Sequence, residues 1–360
     1  MSHGTTSTPS SPAATAAGTT AREQALEQWL ASLAAQHGLT LATRRPASED
    51  ASFRRYWRVD GAGRSWIVMD APPPLEDVRA FVDVAGRLQA AGLPAPRVHA
   101  CDAASGFVLL DDLGPLPLMA ALRGADPART DQLMGQAIAL LVRLQAGAAA
   151  TGLPEHDATL MRAEMALFPQ WCVQQEHGRT WSAVQQRSWD AVCEALVQEA
   201  LAQPRCLVHS DYMPRNLMCV DGGLAMLDFQ DAVRGAVTYD IASLLRDAFV
   251  SWDEEREIDW AIRWWQSARG AGVLGDHPMA GDFGACWRAI EWMGLQRHLR
   301  IMGVFCRLKH RDGKPHYSDD LPRFFGYAAR TASRYRELKP LVPLLEDLVG
   351  PLTATGFSMR

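Results

Sequence analysis

The chain has 360 residues, 48% of them hydrophobic and 21% charged, with a formal net charge of −5. That length and apolar content suffice for a buried core and exclude a low-complexity or wholly disordered protein. The mild negative balance gives no general affinity for nucleic acid or anionic membranes, and no apolar run approaches the length of a membrane span.

Seven cysteines, at 101, 172, 193, 206, 219, 286 and 306, form no CxxC pair and are odd in number. They read as reduced core residues of a cytoplasmic protein. Of the 36 basic residues, only Lys309, Lys314 and Lys339 are lysines. No P-loop GxxxxGK[ST] is therefore present, and a phosphate-binding cation earlier in the chain has to be an arginine.

In chain order, residues 1–20 are Ser, Thr, Ala, Pro and Gly with almost no charge. They lack the basic start and apolar stretch of a signal peptide and read as a disordered tail. A capping box, Thr20-Ala-Arg-Glu23, predicts a first helix with Leu26, Trp29, Leu30 and Leu33 on one face, stopped by Gly38. Residues 52–59 and 65–70 read as strands around the turn Asp60-Gly-Ala-Gly63. After Pro72-Pro-Pro74 comes an amphipathic helix over 75–91, closed by Gly92, and two more strands follow at 97–101 and 106–110. Residues 21–112 thus form a small, mostly antiparallel sheet domain.

Asp111-Asp112-Leu113-Gly114 reads as a hinge, and residues 113–360 form a larger helical domain. Asp126-Pro127 is an N-cap followed by a first-turn proline, opening a helix to about residue 146. Helices follow near 158–177, 181–202, 239–250, 254–268, 283–308 and 321–338. The expected class is α+β, with two lobes, nucleotide under the sheet and acceptor on the helical lobe.

Between these helices lies His209-Ser-Asp211-Tyr-Met-Pro-Arg-Asn216, then Leu227-Asp228-Phe229-Gln230. The apolar run Cys206-Leu-Val208 delivers the loop from a strand tip. Two further runs, 217–220 and 224–227, flank Asp221-Gly222-Gly223 and read as a hairpin. The hairpin brings Asn216 and Asp228 to the same side. Phosphoryl transfer needs this set: a carboxylate to accept the proton of an attacking hydroxyl, and hard oxygens for magnesium on the nucleotide phosphates. Asp211 fits the base, and Asn216 and Asp228 fit the metal ligands. His209 reads as an internal scaffold of the loop.

With these residues in view, the chain resembles the aminoglycoside phosphotransferase and choline kinase branch of the protein-kinase-like fold, over about residues 22–340. The resemblance implies ATP as donor, Mg2+, and an adenine-binding hinge at Asp111, Asp112 and Leu113. The stretch from Asp228 to Asp247, with Gln296-Arg-His-Leu-Arg300 and Arg311-Asp-Gly-Lys-Pro315, is similar to bacterial anomeric kinases. These phosphorylate N-acetylmuramate and N-acetylglucosamine at C1 in cell-wall recycling. Two departures stand out. Ser52, Arg54 and Trp57 occupy the glycine positions of a kinase glycine-rich loop, and Met69 stands where the third strand should end in lysine. Glu76 then lacks a lysine partner, and Arg54, Arg55 or Arg58 is expected to neutralise the phosphates.

From Arg288 to Lys339 there are twelve Arg and Lys against five acids, a local excess of positive charge. A basic acceptor wall suits a carboxylate-bearing amino sugar rather than a polycation or a quaternary amine. Arg297 and His298 are the expected contacts there. Gln230, Asp231 and Arg234 are expected to border the transferred phosphate or the sugar, and Asp240 to hold the catalytic loop through backbone hydrogen bonds. The competing readings are an aminoglycoside or other alcohol kinase, and a nucleotide-binding regulatory module without turnover. The expected partners are thus a small amino sugar and a nucleotide, with no nucleic acid and no membrane.

Overall fold

The computed structural model describes residues 12–48 and 53–352. Contacts divide the chain into two compact units, Met1–Gly86 with Pro96–Gly114, and Arg87–Ala95 with Pro115–Arg360. The expected boundary at residue 112 thus falls near Gly114. Residues 87–95, read as part of the sheet domain, fold with the helical one. Their hydrogen bonds show why: Arg143 Nη2 donates to the Gly92 carbonyl, the Met226 N–H to the Pro94 carbonyl, and Arg87 Nη1 to the carbonyls of Ala149 and Thr151.

The first unit is an antiparallel sheet in the order β1-β2-β3-β5-β4, with β1 (Arg45–Ser48), β2 (Arg55–Gly61), β3 (Arg64–Asp70), β4 (Val98–Asp102) and β5 (Phe107–Asp111). Helix α1 (Pro12–His37) covers one face, where Leu26 and Leu30 pack with Leu39, Val59, Trp66, Val68, Phe107 and Leu109. The period-two spacing of Trp66 and Val68, and of Phe107 and Leu109, puts each pair on the same side of the sheet. The Thr20 capping box does not start this helix, whose backbone is already helical from Pro12 through an alanine-rich run of high helix propensity. Gly61 is required: a Cβ there would lie 2.2 Å from the Gly38 carbonyl oxygen. The helix expected at 75–91 is α2 (Val78–Ala90).

The second unit is mostly helical. Its helices are α3 (Leu118–Leu122), α4 (Pro127–Gly147), α5 (Ala158–Met165), α6 (Ala183–Ala202), α7 (Tyr239–Leu245), α8 (Glu254–Gly270), α9 (Phe283–His310), α10 (Leu321–Arg334) and α11 (Val342–Val349). Asp126 caps α4 by accepting the Arg129 N–H at 2.7 Å. The helix expected at 158–177 is instead α5 followed by a wider π-helical stretch, Phe168–Glu176. Pro169 has no N–H to close the α-helical ladder there.

Two small sheets complete this unit: β6 (Arg205–Val208) pairs with β9 (Val233–Ala236), and β7 (Leu217–Val220) with β8 (Gly223–Met226). Strand β9 and helix α11 were not anticipated from the sequence. Helix α7 ends at Leu245, five residues before the expected stop. Among the described residues no helix is long and apolar enough to cross a membrane.

Candidate active site

All the carboxylates and amides of the candidate catalytic set lie in the second unit, on two turns at the ends of short strands. Strand β6 runs into His209, and Ser210 then adopts a left-handed backbone (φ 76°), which redirects the chain at Asp211. A non-glycine residue holds that conformation only where its surroundings enforce it. Here they do. The Ser210 hydroxyl donates to the Asp231 carbonyl at 2.9 Å, and Arg297 Nη1 donates to the Ser210 carbonyl at 2.9 Å.

Asn216 immediately precedes β7, and its carbonyl accepts the Leu227 N–H at 2.8 Å just after β8. The hairpin therefore closes on the residue before Asp228, which is also left-handed (φ 59°). Asn216 Nδ2 donates to the Asp211 carbonyl at 3.0 Å and lies 3.5 Å from Asp228 Oδ2. Residues 211, 216 and 228 are thus assembled into one group by local hydrogen bonds.

The amide orientation bears on magnesium. Because Nδ2 is spent on the Asp211 carbonyl, Oδ1 of Asn216 is the end left for a cation, with the Asp228 carboxylate on the adjoining turn. Among the described residues no cluster of three or more His, Cys, Asp or Glu forms a metal cage. Two protein oxygens with the rest of the shell from phosphate and water is the usual magnesium arrangement in phosphoryl transfer, and the donor set fits it.

The loop is anchored from beneath by Asp240, the second residue of α7, which is fully buried. Its carboxylate accepts the His209 N–H at 2.7 Å and the Ser210 N–H at 3.1 Å. The buried His209 ring packs edge-on against Tyr212, whose hydroxyl donates to the Ala137 carbonyl, and burial lowers the histidine pKa, so the ring is neutral scaffolding.

Burial pushes Asp240 up to about 7 from 3.8, against the pull of the His209 N–H, Arg297 and the Ser210 N–H. A raised carboxyl pKa means the folded chain binds this proton more tightly than the unfolded one. Its stabilising contribution is therefore complete below about 3.8 and lost as pH rises through about 7. Catalysis runs the other way, since protonation removes an acceptor from the loop. The expected result is kcat falling below about pH 7 while stability, measured as wild type minus Asp240→Asn, rises. A stability difference that stays flat between about pH 8 and about pH 5 would refute the assignment.

The expected acceptor contacts separate into two groups. Gln230 and Asp231 lie beside the set: Gln230 Nε2 donates to Asp228 Oδ1 at 2.8 Å and lies 3.4 Å from Asp231 Oδ2, while Gln230 Oε1 is buried without a partner. Arg234 sits on β9 and pairs with Glu155 at 3.1 Å, on the edge shared with Arg205. Arg297 and His298 are both buried, at 3% and 0% exposure. Arg297 is committed to Ser210 and to the face of Tyr239 (4.8 Å). The His298 ring stacks on Tyr327 at 5.1 Å, and its Nε2 lies 3.3 Å from the Arg246 carbonyl. The expectation that these two touch substrate is corrected: Arg297 positions the loop and His298 fills the core.

Arg300, one turn further along α9, was not singled out from the sequence. Its side chain is 30% exposed, its Nη1 donates to the Tyr239 hydroxyl at 2.9 Å, and its Nε lies 3.4 Å from Glu164. The signal was the i, i+3 spacing from Arg297, which places both on one helix face.

In the first unit, Ser52 lies outside the described residues. Arg54 forms an ion pair with Glu76, with Nε at 3.0 Å and Nη2 at 2.9 Å, both side chains largely buried. Glu76 has found its cation, an arginine instead of a lysine. Arg55 and Arg22 share the fully buried Asp70, Arg58 and Ser65 hold Asp112, and His99 and Arg64 hold Asp111. Met69 is buried at 1% exposure on β3, paired across the sheet with Tyr56 and Val108. Leu113 follows Asp112, whose Oδ1 accepts the Gly114 N–H at 2.9 Å.

Against known proteins, the model of the phosphotransferase enzyme family matches residues 43–278. The N-acetylmuramate/N-acetylglucosamine kinase of Pseudomonas putida is 46% identical over 302 residues, 84% of this chain and 87% of that one. The protein of the same name from Neisseria meningitidis serogroup B is 40% identical over 340 residues, 94% of this chain and 99% of that one. Among solved structures, amicoumacin kinase hAmiN in complex with AMP-PNP, Ca2+ and Ami superposes with a TM-score of 0.57 at 15% identity, covering 85% of this chain and 93% of that one. The ADP-bound aminoglycoside phosphotransferase APH(2'')-Ib gives 0.53 at 13% identity, covering 83% and 97%. At these identities the likeness is one of fold: a protein-kinase-like α+β architecture with a sheet lobe and a helical lobe.

Proposed function

This chain belongs to the phosphotransferase enzyme family, and on that premise we propose that it transfers the terminal phosphate of ATP to the anomeric C1 hydroxyl of N-acetylmuramate and N-acetylglucosamine. The observation that carries the chemistry is the assembly of residues 211, 216 and 228 on two hydrogen-bonded turns. Similarity over most of the length of two kinases of that name supports the acceptor. The excess of Arg and Lys between residues 288 and 339 supports an anionic one.

Asp211 accepts the proton of the sugar hydroxyl as its oxygen attacks phosphorus, and ADP leaves. Asn216 and Asp228 would hold magnesium, which neutralises phosphate charge when bound. Gln230 holds the Asp228 carboxylate in place, and its unpartnered Oε1, with Asp231, borders the acceptor. Arg234, on β9 and paired with Glu155, stands apart from this group. The proposed nucleotide contacts are Ser52, Arg54, Arg55 and Met69 in the sheet, with Asp111, Asp112 and Leu113 at the hinge. The proposed setting is the cytoplasm, where sugars recovered from the cell wall are recycled.

The Arg54–Glu76 pair takes the part of a lysine–glutamate pair. A guanidinium is permanently charged and can engage a carboxylate and a phosphate from different N–H groups. Arg54→Ala is expected to raise the KM for ATP about tenfold or more, with Arg54→Lys intermediate. A KM unchanged in both variants would remove Arg54 from the nucleotide site.

The acceptor itself is tested by 31P NMR of the product formed from each sugar. An anomeric phosphate is expected; a C6 phosphate, or no turnover of either sugar, would overturn the proposal.

A further inference from the structure

We infer that Arg300 and Arg307, on one face of α9, form a subsite that reads a carboxylate on the acceptor sugar; this rests on the amino-sugar kinase reading above. Positions 297, 300, 304, 307 and 311 recur every three or four residues and so share one face of the helix. That face begins at the catalytic loop, where Arg297 Nη1 donates to the carbonyl of Ser210, the residue before Asp211. Arg300 and Arg307 thus share this face, with Arg300 one turn beyond the loop-holding Arg297 and Arg307 two turns beyond Arg300. Their Cα atoms are about 10 Å apart along the axis, a gap two arginine side chains span.

The arginines of this face are not equivalent. Arg297 is buried and spent on the loop. Arg311 is spent on Asp312, at 2.7 and 2.9 Å. Arg300 spends one terminal nitrogen on Tyr239 and turns Nε to Glu164, and among the described residues its second terminal nitrogen meets no acceptor. Arg307 is half-buried, yet among the described residues no carboxylate or carbonyl accepts from its guanidinium, and its Nε is buried without a partner. Lys309 and His310, on another face, are both held by Glu176.

Two neighbouring guanidiniums with uncommitted N–H groups make an incomplete electrostatic arrangement. Burial first, and then the like charge of Arg311, pull the Arg307 pKa below the usual arginine value; Asp312 opposes this in part, and Arg300 adds to it last. The Arg300 pKa is raised, by its contact with the Tyr239 hydroxyl first and then by the charges of Glu164 and Asp211. The vacant donors therefore begin one turn beyond Arg297, which holds the carbonyl before Asp211, and extend away from the loop along the helix. An acceptor with its reacting hydroxyl at Asp211 and a carboxylate some ångströms off would satisfy both ends. Planar guanidiniums bind carboxylates bidentately, and such bonds are about twice as strong as neutral ones. N-acetylmuramate carries a carboxylate on its lactyl ether, and N-acetylglucosamine lacks it.

The test is the ratio of kcat/KM for N-acetylmuramate to that for N-acetylglucosamine, both measured on one preparation so that the folded fraction cancels. Arg307→Met is expected to lower this ratio about 10- to 100-fold, through KM for the acidic sugar, and Arg307→Lys to restore part of it. Arg300→Lys should lower it in the same direction. If the ratio does not move, or both sugars fall together, the arginines are scaffold and the inference is overturned while the kinase reading stands. If the wild-type enzyme phosphorylates neither sugar, the kinase reading fails and takes this subsite with it.

Discussion

Asp211→Asn is expected to lower kcat about a thousandfold while ATP affinity stays within about threefold, the range typical for loss of a general base. The amide is isosteric but cannot take a proton from an attacking hydroxyl. Its backbone duties survive: the Asp211 carbonyl still accepts from Asn216 Nδ2 and from the Met213 N–H. The loop should therefore keep its shape, and the loss should fall on the chemical step alone. Single-turnover kinetics with a separate nucleotide-binding measurement distinguish the two. A variant that turns over at wild-type rate would leave Asp211 without its role.

Asp240→Ala should cost nearly as much by a different route. It leaves the His209 and Ser210 N–H groups buried with no acceptor. Charge-assisted hydrogen bonds contribute about 1.5 to 3 kcal/mol each, so the variant should lose on the order of 3 to 6 kcal/mol in stability. With the strained Ser210 backbone released, kcat should fall about a hundredfold or more even where the protein remains folded. Arg297→Met removes the other support of the same turn, at the Ser210 carbonyl. Because both act on one loop, the double variant should lose less in kcat than the two singles multiplied. Strict multiplication would mean that they serve separate elements.

The catalytic assembly was legible because it is local. A strand, a loop and a hairpin bring residues 211, 216 and 228 together within eighteen positions, and each step leaves a mark in apolar runs and turn residues. Features that depend on distant partners were not legible. Val233-Arg-Gly-Ala236 has no alternation of its own and becomes a strand because β6 offers it hydrogen bonds. Arg54 and Glu76 are twenty-two positions apart, and nothing in either segment says that the arginine replaces a lysine.

The acceptor side shows a subtler limit. Arg297, His298 and Arg300 sit within a few residues, but a helix turns about 100° per residue, so neighbours in sequence face different surroundings. Charge counting pointed to this helix without resolving its faces. His298 points into a shell of Phe324 and Tyr327, which only the packing of α9 against α10 reveals. The capping box at Thr20 misled for the opposite reason: a sound local signal was overridden by the helix-forming alanines before it.

Salt-bridging Glu76 with Arg54 has a consequence for chemical detection. Acyl-phosphate analogues of ATP tag kinases by acylating a lysine amine beside the bound phosphates, and the first side-chain amine in this sequence is at 309. Surveys of that kind would pass over this sheet lobe, and lysine-directed covalent inhibitors would find no side-chain amine there. A guanidinium-selective dicarbonyl reagent is the probe suited to it.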